Sequence, residues 1–429
     1  MFYQVFATIL FDKSMEPDDN NRLLLPELGS VSLARTRLSR RVRSFCGVMA
    51  VLCLLHGYSF AQRAPADTSQ AIEAAGGFLQ SQGAQPRFEA ASKLSSDARA
   101  AMKEGRVFSV PHFSGSFAWQ GQAYPYTMVG SKPQSGGITE VPTQIVPISL
   151  FFEEFVDESG SPLVLDPAPV LPRVQSSPNF HKAQYATGLT QFADAVQLAQ
   201  FYRSAASDWH TLLGQPAILK PVRIAVPRGA AKVYRNHSTG VMYAIVDTNF
   251  FISQLNTIIQ LENLQPDALA IALTANVFLS PQSDIKKCCV LGFHTSFDVG
   301  ELAQVKFVQT FIWASWVDQG ILGPSLADVT PMSHEISEWM NNPFGSNAVP
   351  AWQVPNSNAC QSNLETGDPL ATMPNSGYPV LIDGFTYHPQ SQVLLQWFQR
   401  GSASDAIEGA FSFPDQTLMT GPSQACPAR

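Results

Sequence analysis

From about residue 140 onward, stretches with the pattern of β-strands are interleaved with stretches that have the period of an α-helix. Apolar residues three and four positions apart predict helices over 190–202 and 248–263. Runs of β-branched and aromatic residues bounded by glycine and proline predict strands, which cover 219–226, 269–279 and 306–313, and a hairpin over 231–246. Interleaved helices and strands indicate an α/β or α+β domain with a mixed sheet.

The rest of the chain is expected to be simpler. Residues 1–61 read as a signal peptide behind an over-extended start, and residues 62–105 as a linker with a lead-in helix over 95–104. Residues 106–429 then form one α/β domain, which opens with a β-rich region from Val107. The proline-rich stretch from Pro162 to Pro178 is expected to be a loop.

The signal peptide is predicted from the order of three features. An arginine cluster between residues 35 and 43 precedes the apolar run Phe45 to Leu55, and small residues lie at −3 and −1 of a cleavage site after Ala61. The apolar run is much shorter than the ~20 residues needed to span a bilayer. We therefore expect a secreted or periplasmic protein that keeps no membrane segment after cleavage. Residues 1–34 fit no folded element, as if the start codon were placed too early.

The composition narrows the class of protein. Apolar residues make up 45 % of the chain and charged residues 14 %, with a net charge of −7. This much apolar side chain excludes a disordered protein. The negative charge and the absence of a basic stripe argue against a nucleic-acid partner.

The predicted export determines which cysteines the mature protein keeps and favours disulfides between them. Cleavage of the signal removes two cysteines and leaves four, which are Cys288, Cys289, Cys360 and Cys426. An oxidising compartment favours disulfides. We predict a Cys360–Cys426 bridge that pins the C-terminal tail across the acidic cluster near residue 365. Adjacent cysteines can bridge each other only through a strained eight-membered ring, so the pairing of the other two stays open. Zinc bound by thiols is disfavoured, because the chain has no C-x₂₋₄-C spacing.

The segment from Asp328 to Phe344 carries the chemistry. Thr330 is expected to cap a helix, Pro331 suits its first turn, and Asn342-Pro343 ends it. Helical geometry then places His334 and Glu338 on one face, one turn apart.

Glu335 follows His334 directly, as the general base does in the H-E-x-x-H motif of metallohydrolases. Here the fifth position is Glu338 instead of histidine, and a carboxylate is an acceptable zinc ligand. Glu365 and Asp368 are the only acidic residues between Glu338 and Asp383, so either is the natural third ligand. A histidine with two carboxylates suits Zn²⁺, with Mn²⁺ or Ca²⁺ as alternatives.

Other interpretations of this segment stay open. His294 and His388 are further candidate ligands. A short motif also occurs by chance, in which case His334 and Glu338 form an ordinary i,i+4 pair on an exposed helix face. No Gly-rich phosphate loop, Gly-x-Ser-x-Gly elbow or Cys–His–Asn signature offers a rival chemistry.

Several of these motifs, taken as a set, resemble the phosphate-induced, EXORDIUM-like proteins of plants and their bacterial relatives. The motifs are Ser333-His-Glu-Ile-Ser-Glu338, Asn342-Pro343, Trp352, and Glu365-Thr-Gly-Asp368 with a cysteine nearby. That family has a His-Glu-Leu-Ala-Glu-like helix, then Asn-Pro, an aromatic segment and Glu-Ile-Gly-Asp-Leu-Cys. The segment Leu279 to His294 looks like the family's strand followed by Cys-x-x-x-Cys-Gly-x-His.

The resemblance covers about residues 266–426. The chain departs from the family where Cys360 precedes Glu365 and where two cysteines are adjacent, so the family's disulfides do not carry over. The resemblance implies a secreted, cell-wall-linked protein whose core is similar to that of zincin metallopeptidases, with an active-site helix against a mixed sheet. The family's activity is not established, so the resemblance favours a metal site more than catalysis.

Two hypotheses follow. In the first, the chain is an exported, zincin-like metallohydrolase that cleaves a peptide or cell-envelope substrate. His334, Glu338 and either Glu365 or Asp368 bind zinc, and Glu335 deprotonates the attacking water. In the second, it is a non-catalytic secreted or envelope-associated binding protein with a structural or vestigial metal site. An open coordination position beside a groove favours the first hypothesis, and a fourth protein ligand or a sealed site favours the second.

Overall fold

A computed structural model describes residues 73–75, 87–157, 159–323, 325–354, 359–401 and 405–426. The chain divides into two compact units, Met1–Ala64 and Pro65–Arg429. The first unit, and with it the segment assigned to the signal peptide, lies outside the described residues. The account below concerns the second unit.

Six α-helices lie in these ranges, namely α1 (Ser96–Lys103), α2 (Leu171–Gln175), α3 (Phe192–Gln200), α4 (Thr248–Leu261), α5 (Thr330–Asn341) and α6 (Leu395–Gln399). Local capping explains where two of them begin. The Ser95 side chain accepts a hydrogen bond from the backbone N–H of Ala98, and the Asp247 carboxylate accepts one from Phe250. Among the described residues, no helix has the length and apolar character needed to cross a membrane.

The strands are numbered along the chain. The first thirteen are β1 (Glu73–Ala75), β2 (Arg87–Lys93), β3 (Val107–Phe108), β4 (His112–Trp119), β5 (Gln122–Val129), β6 (Ile138–Val141), β7 (Thr143–Val156), β8 (Pro162–Leu165), β9 (Ala183–Tyr185), β10 (Gly188–Thr190), β11 (His210–Leu213), β12 (Ala217–Ile218) and β13 (Val222–Val226). The others are β14 (Ala231–Asn236), β15 (Met242–Asp247), β16 (Leu269–Ala275), β17 (Val277–Ser280), β18 (Val290–Leu302), β19 (Val305–Trp316), β20 (Ala348–Gln353), β21 (Cys360–Asn363), β22 (Val380–Ile382), β23 (Phe385–Tyr387), β24 (Gln392–Val393) and β25 (Ser412–Phe413).

One large mixed sheet organises the unit. Its strand order is β1-β14-β15-β17-β18-β19-β16-β7-β12, with β2 beside β18, β3 beside β19, and β8 and β13 beside β7. The centre combines antiparallel β18 and β19 with parallel β19, β16 and β7. The remaining strands form two-stranded pairs outside this sheet. The architecture is therefore mixed α/β with mostly sheet content, as the interleaved pattern predicts.

The two faces of the sheet carry different helices, because alternate residues of a strand point to opposite sides. On β19, Phe311 and Trp313 pack in one core with Phe251 of α4. Ile312, the residue between them, packs in a second core with Ile336 of α5. The sheet thus lies between α4 and α5, and α5 rests on the face that bears the candidate site.

Most local predictions agree with the structure, and the exceptions have physical reasons. The predicted helices and the β14–β15 hairpin are confirmed. The predicted loop over 162–178 is wrong, because Pro162 begins the edge strand β8 and Pro172 lies in the first turn of α2, two positions that tolerate proline. Residues 87–93, within the predicted lead-in, form strand β2 of the main sheet. The long strand β18 was not predicted from the sequence.

The structure pairs all four cysteines. Cys360 is bonded to Cys426, which confirms the predicted bridge across the C-terminal tail. Cys288 and Cys289 are bonded to each other, which answers the question that the sequence left open. This second pair is buried in a core with Phe88 of β2.

Replacing both Cys360 and Cys426 with alanine should lower the free energy of unfolding by roughly 4 kcal/mol, because the bridge closes a loop with a sequence separation of 66. Urea unfolding without reductant measures the change. The matched control replaces Cys288 and Cys289, which close no loop, so only the packing of two small buried side chains is lost. Equal unfolding midpoints for wild type and the Cys360/Cys426 variant would contradict the prediction.

Candidate metal centre

Helix α5 is buried along its whole length. Its apolar side chains, among them Ile336 and Trp339, pack on the sheet. The helix starts one residue earlier than expected, since Val329 occupies the N-cap position and Thr330, the expected cap, is the first helical residue. The Thr330 hydroxyl lies instead within hydrogen-bond distance of the carbonyl oxygens of Ala327 and His388.

The C-terminal end of α5 contacts the loop after β21 that contains Glu365 and Asp368, which we call the acidic loop. The side-chain amide of Asn342, the C-cap residue, lies 3.2 Å from Glu365 Oε1 and 3.3 Å from the carbonyl oxygen of Leu364. Glu338 Oε1 accepts hydrogen bonds from the backbone N–H groups of Gly367 at 2.9 Å and Asp368 at 3.2 Å. These bonds bring Glu365 and Asp368 against the helix face that bears Glu338.

Two glycines permit this close approach. A Cβ on Gly367 would overlap the imidazole ring of His334. A Cβ on Gly292 of β18 would lie 2.7 Å from Glu335 Cγ. The loop and the strand can therefore approach α5 only where these positions carry no side chain.

His294 enters the centre from β18. Its Nδ1 lies 3.1 Å from Glu335 Oε2 in hydrogen-bond geometry and 3.7 Å from Glu338 Oε2. Its Nε2 lies 3.8 Å from Glu365 Oε2. If Nδ1 carries the proton that it donates to Glu335, Nε2 keeps a free lone pair.

In His334, as in His294, Nδ1 makes a hydrogen bond and Nε2 keeps a free lone pair. Its Nδ1 lies 3.1 Å from Gln390 Oε1, and the amide nitrogen of Gln390 donates to the carbonyl oxygen of Gly367 at 2.7 Å. That second bond orients the amide so that its oxygen faces the ring, and Nδ1 must then be the donor. His334 Nε2 is left facing Glu338 Oε2 at 3.1 Å and Asp368 Oδ1 at 3.8 Å.

These side chains form two groups in which the ligand atoms all lie within 4.8 Å of one another. One group contains His334, Glu338 and Asp368, and the other contains His294, Glu338 and Glu365. The two acidic residues that the sequence offered as alternatives thus lie in different groups. Glu335 belongs to neither group and hydrogen-bonds His294 of the second one.

His388, the other candidate histidine, lies elsewhere. Its Nδ1 contacts Asp328 Oδ2 at 2.7 Å, and its backbone N–H donates to the same carboxylate. The sequence offers His294 as a further candidate ligand, and no sequence motif points to Gln390. A strand prediction over β18 would have helped, because its alternation places Gly292, His294 and Ser296 on one face.

Unpartnered polar atoms identify what the centre is suited to bind. Five buried side-chain atoms of His294, His334, Glu335, Glu338 and Glu365 have no hydrogen-bond partner, namely Nε2 of both histidines, Oε1 of Glu335, and Oε2 of Glu338 and Glu365. The 3.1 Å contact between His334 Nε2 and Glu338 Oε2 lacks hydrogen-bond alignment. Buried polar atoms are normally paired. Imidazole nitrogens and carboxylate oxygens with free lone pairs are ligands for zinc and similar divalent ions, so the residues fit such an ion.

Burial and mutual repulsion shift the pKa values in this centre. Burial, reinforced by the Glu338 carboxylate, raises the pKa of Glu335 and Glu365 well above the usual range and that of Asp368 to about 7. Burial lowers the pKa of His294 to about 4. Glu338 behaves differently, because its contacts with His334 outweigh burial and lower its pKa to about 2.

Strand β2 closes the centre. The ring of Phe88 stacks on the imidazole of His334, with the ring centroids 3.5 Å apart. Asp368 has the most exposed side chain of the centre at 19 %, and His294, His334, Glu338 and Glu365 are at most 3 % exposed. Any ligand larger than an ion or water needs β2 or the acidic loop to move.

No family model, curated protein or solved structure matches this chain. The comparisons therefore provide no evidence for or against the resemblance to the EXORDIUM-like family, which stays a prediction from the motifs.

Replacing Gly367 with alanine should lower the free energy of unfolding by about 1–3 kcal/mol, because the new methyl group must displace His334 or the acidic loop. Thermal and urea unfolding measure the loss. Gly421→Ala is the matched control, since a Cβ there meets no atom within 4 Å, and it should change stability by at most about 0.5 kcal/mol. Equal effects of the two substitutions would show that the close approach at Gly367 is not required.

Proposed function

We propose that this protein is an exported, zincin-like hydrolase that uses a divalent ion, zinc in the first instance, to cleave peptide bonds. The position of Glu335 carries the proposal. Its carboxyl group hydrogen-bonds His294 of one ligand group, belongs to neither group, and keeps Oε1 free of any hydrogen bond. A general base needs such an uncommitted oxygen next to the place where water is activated.

The residues of the centre have distinct tasks in this mechanism. The ion, when bound, would polarise the substrate carbonyl and make water more acidic. Glu335 Oε1 accepts the proton of the attacking water and then delivers it to the leaving amine. His294 holds the base in place, because its Nδ1 hydrogen-bonds the other oxygen of the Glu335 carboxylate. Gln390 orients His334 in the same way.

Zinc and export are supported by separate observations. His334 offers Nε2, and Glu338 and Asp368 offer carboxylate oxygens within 4.8 Å of it, which suits the three-ligand arrangement of catalytic zinc. Two disulfides lie among the described residues. Disulfides persist in oxidising compartments, which agrees with the signal peptide predicted from the sequence.

The peptide substrate class is supported by the edge of β18. Strand β2 pairs with this edge in extended conformation from Arg87 to Lys93. Its Phe88 side chain reaches the His334 ring. An edge that already binds extended backbone next to the candidate base suits a substrate bound by strand addition. A substrate would take the place of β2.

The second hypothesis, a binding protein with a structural ion, is favoured by one observation. The centre is almost completely buried, and Phe88 covers His334. A sealed site with many protein ligands is typical of structural metals. The two hypotheses differ in what they expect of Glu335, which is required for hydrolysis only.

Substitutions separate metal binding from catalysis. Glu335→Gln should leave the zinc content near wild type and reduce peptide hydrolysis by roughly 10²–10⁴, the usual contribution of a general base. His334→Ala should lose the zinc bound by its own group and activity together, because it removes a ligand. Glu338→His should retain zinc, since it restores the H-E-x-x-H set. Elemental analysis and a fluorogenic peptide library measure the two quantities.

The exposed Glu153→Gln on β7 is the matched control and should change neither quantity. Zinc content that is unaffected by His334→Ala would exclude the helix as a metal site. Zinc binding without any hydrolysis in wild type, even after β2 is loosened, would support the binding-protein hypothesis.

Loosening β2 should open the centre. Phe88→Ala removes the ring that covers His334 and should raise kcat/KM for peptides by roughly 10- to 100-fold, because a larger fraction of molecules can admit substrate. The same variant should lose zinc to a chelator faster, which is a readout independent of hydrolysis. Phe108→Ala on β3 is the control, since that side chain is 42 % exposed. Unchanged chelation and hydrolysis in Phe88→Ala would show that β2 does not limit access.

A further inference from the structure

We propose that the centre binds two divalent ions, with Glu338 shared between them. One ion would be held by His334, Glu338 and Asp368, and the other by His294, Glu338 and Glu365. This inference rests on the metal binding of the proposed function, but it does not depend on catalysis.

The distances argue against a single ion bound by all of these side chains. Ligands of one zinc ion lie at about 2.0–2.2 Å from it, so two of them are at most about 4.4 Å apart. Within each group the ligand atoms satisfy this limit nearly or fully, since all lie within 4.8 Å. Among the described residues, no such group contains both histidines. A single ion can therefore be bound by one group only, which leaves the ligand atoms of the other group for a second ion.

The second group has the features of a prepared site. His294 Nε2 and Glu365 Oε2 are buried, 3.8 Å apart, and without hydrogen-bond partners. The other polar atom of each side chain makes a hydrogen bond. His294 Nδ1 contacts Glu335 Oε2, and Glu365 Oε1 accepts from the amides of Asn342 and Asn363. Metal ligands are commonly oriented in this way by a hydrogen bond to the remaining polar atom.

Glu338 is suited to the shared position. Its Oε1 is committed to the backbone N–H groups of Gly367 and Asp368. Its Oε2 has no hydrogen-bond partner and lies between the two imidazole rings, 3.1 Å from His334 Nε2 and 3.7 Å from His294 Nδ1. A carboxylate oxygen between two ions is a common feature of two-metal hydrolytic sites.

Metal stoichiometry tests the inference. The purified chain is stripped with a chelator, reloaded separately with Zn²⁺ and Mn²⁺, freed of excess ion and analysed for metal per chain. Wild type should bind two ions. Glu365→Gln and Asp368→Asn should each bind about one, because each removes a ligand from a different group. His210→Ala, which changes a histidine paired with Asp194 far along the chain, should still bind two.

Electron paramagnetic resonance of the Mn²⁺ form adds a measurement on the wild type alone. Two ions that share Glu338 should give an exchange-coupled spectrum, and separate ions should give the six-line spectrum of isolated Mn²⁺. One ion per chain in wild type at saturation, or two uncoupled ions, would overturn the inference and leave the proposed function intact. No bound metal at all would overturn both.

Discussion

Four carboxyl groups and two imidazoles meet between α5, β18 and the loop after β21, and all of them except Asp368 are buried away from water. Moving one ionised carboxylate from water into such a place costs several kcal/mol. Each apolar residue that α5 buries on the sheet, such as Ile336 or Met340, contributes only about 1.5–3 kcal/mol. The apolar face of the helix can offset one or two such charges but not four. Cations or protons must balance the remainder.

In Glu335, Glu338 and Glu365, one carboxylate oxygen accepts hydrogen bonds from the surrounding structure and the other oxygen has no partner. Backbone N–H groups of the acidic loop bind Glu338 Oε1, side-chain amides bind Glu365 Oε1, and His294 binds Glu335 Oε2. The remaining oxygen of each of these groups has no partner. This division is expected where a protein orients its carboxylates for a ligand. A centre that served only packing would have satisfied both oxygens or used apolar side chains of similar volume.

The same packing creates a tension between binding and access. The close approach at Gly367 and Gly292 holds the ligands in place, and Phe88 then seals them from solvent. A sealed centre protects an ion and excludes bulk water, yet it also excludes a substrate. Strand β2 is the element that can resolve this tension, because among the described residues its backbone pairs with β18 alone. Catalysis and structural metal binding therefore differ mainly in whether β2 leaves.

The features that depend on local spacing can be predicted from the amino-acid sequence alone. The α/β class, helix α5, the shared face of His334 and Glu338, and the position of Glu335 all follow from residues a few positions apart. Asn342-Pro343 predicted the end of that helix for the same reason. The Cys360–Cys426 bridge was also predicted, because the predicted signal cleavage leaves only four cysteines to pair.

Contacts between residues that are distant in the sequence depend on the tertiary packing. His294 lies 41 positions from Glu335 and Gln390 lies 56 from His334, and no local rule encodes these distances. Strand β18 was missed because its glycine and its mixed pattern conceal the alternation that brings His294 to α5. The separation of Glu365 and Asp368 into two groups likewise depends on backbone N–H groups that fix the loop on Glu338. Side-chain spacing along one helix is set by the chain itself, whereas a shared buried centre is set by how three elements pack.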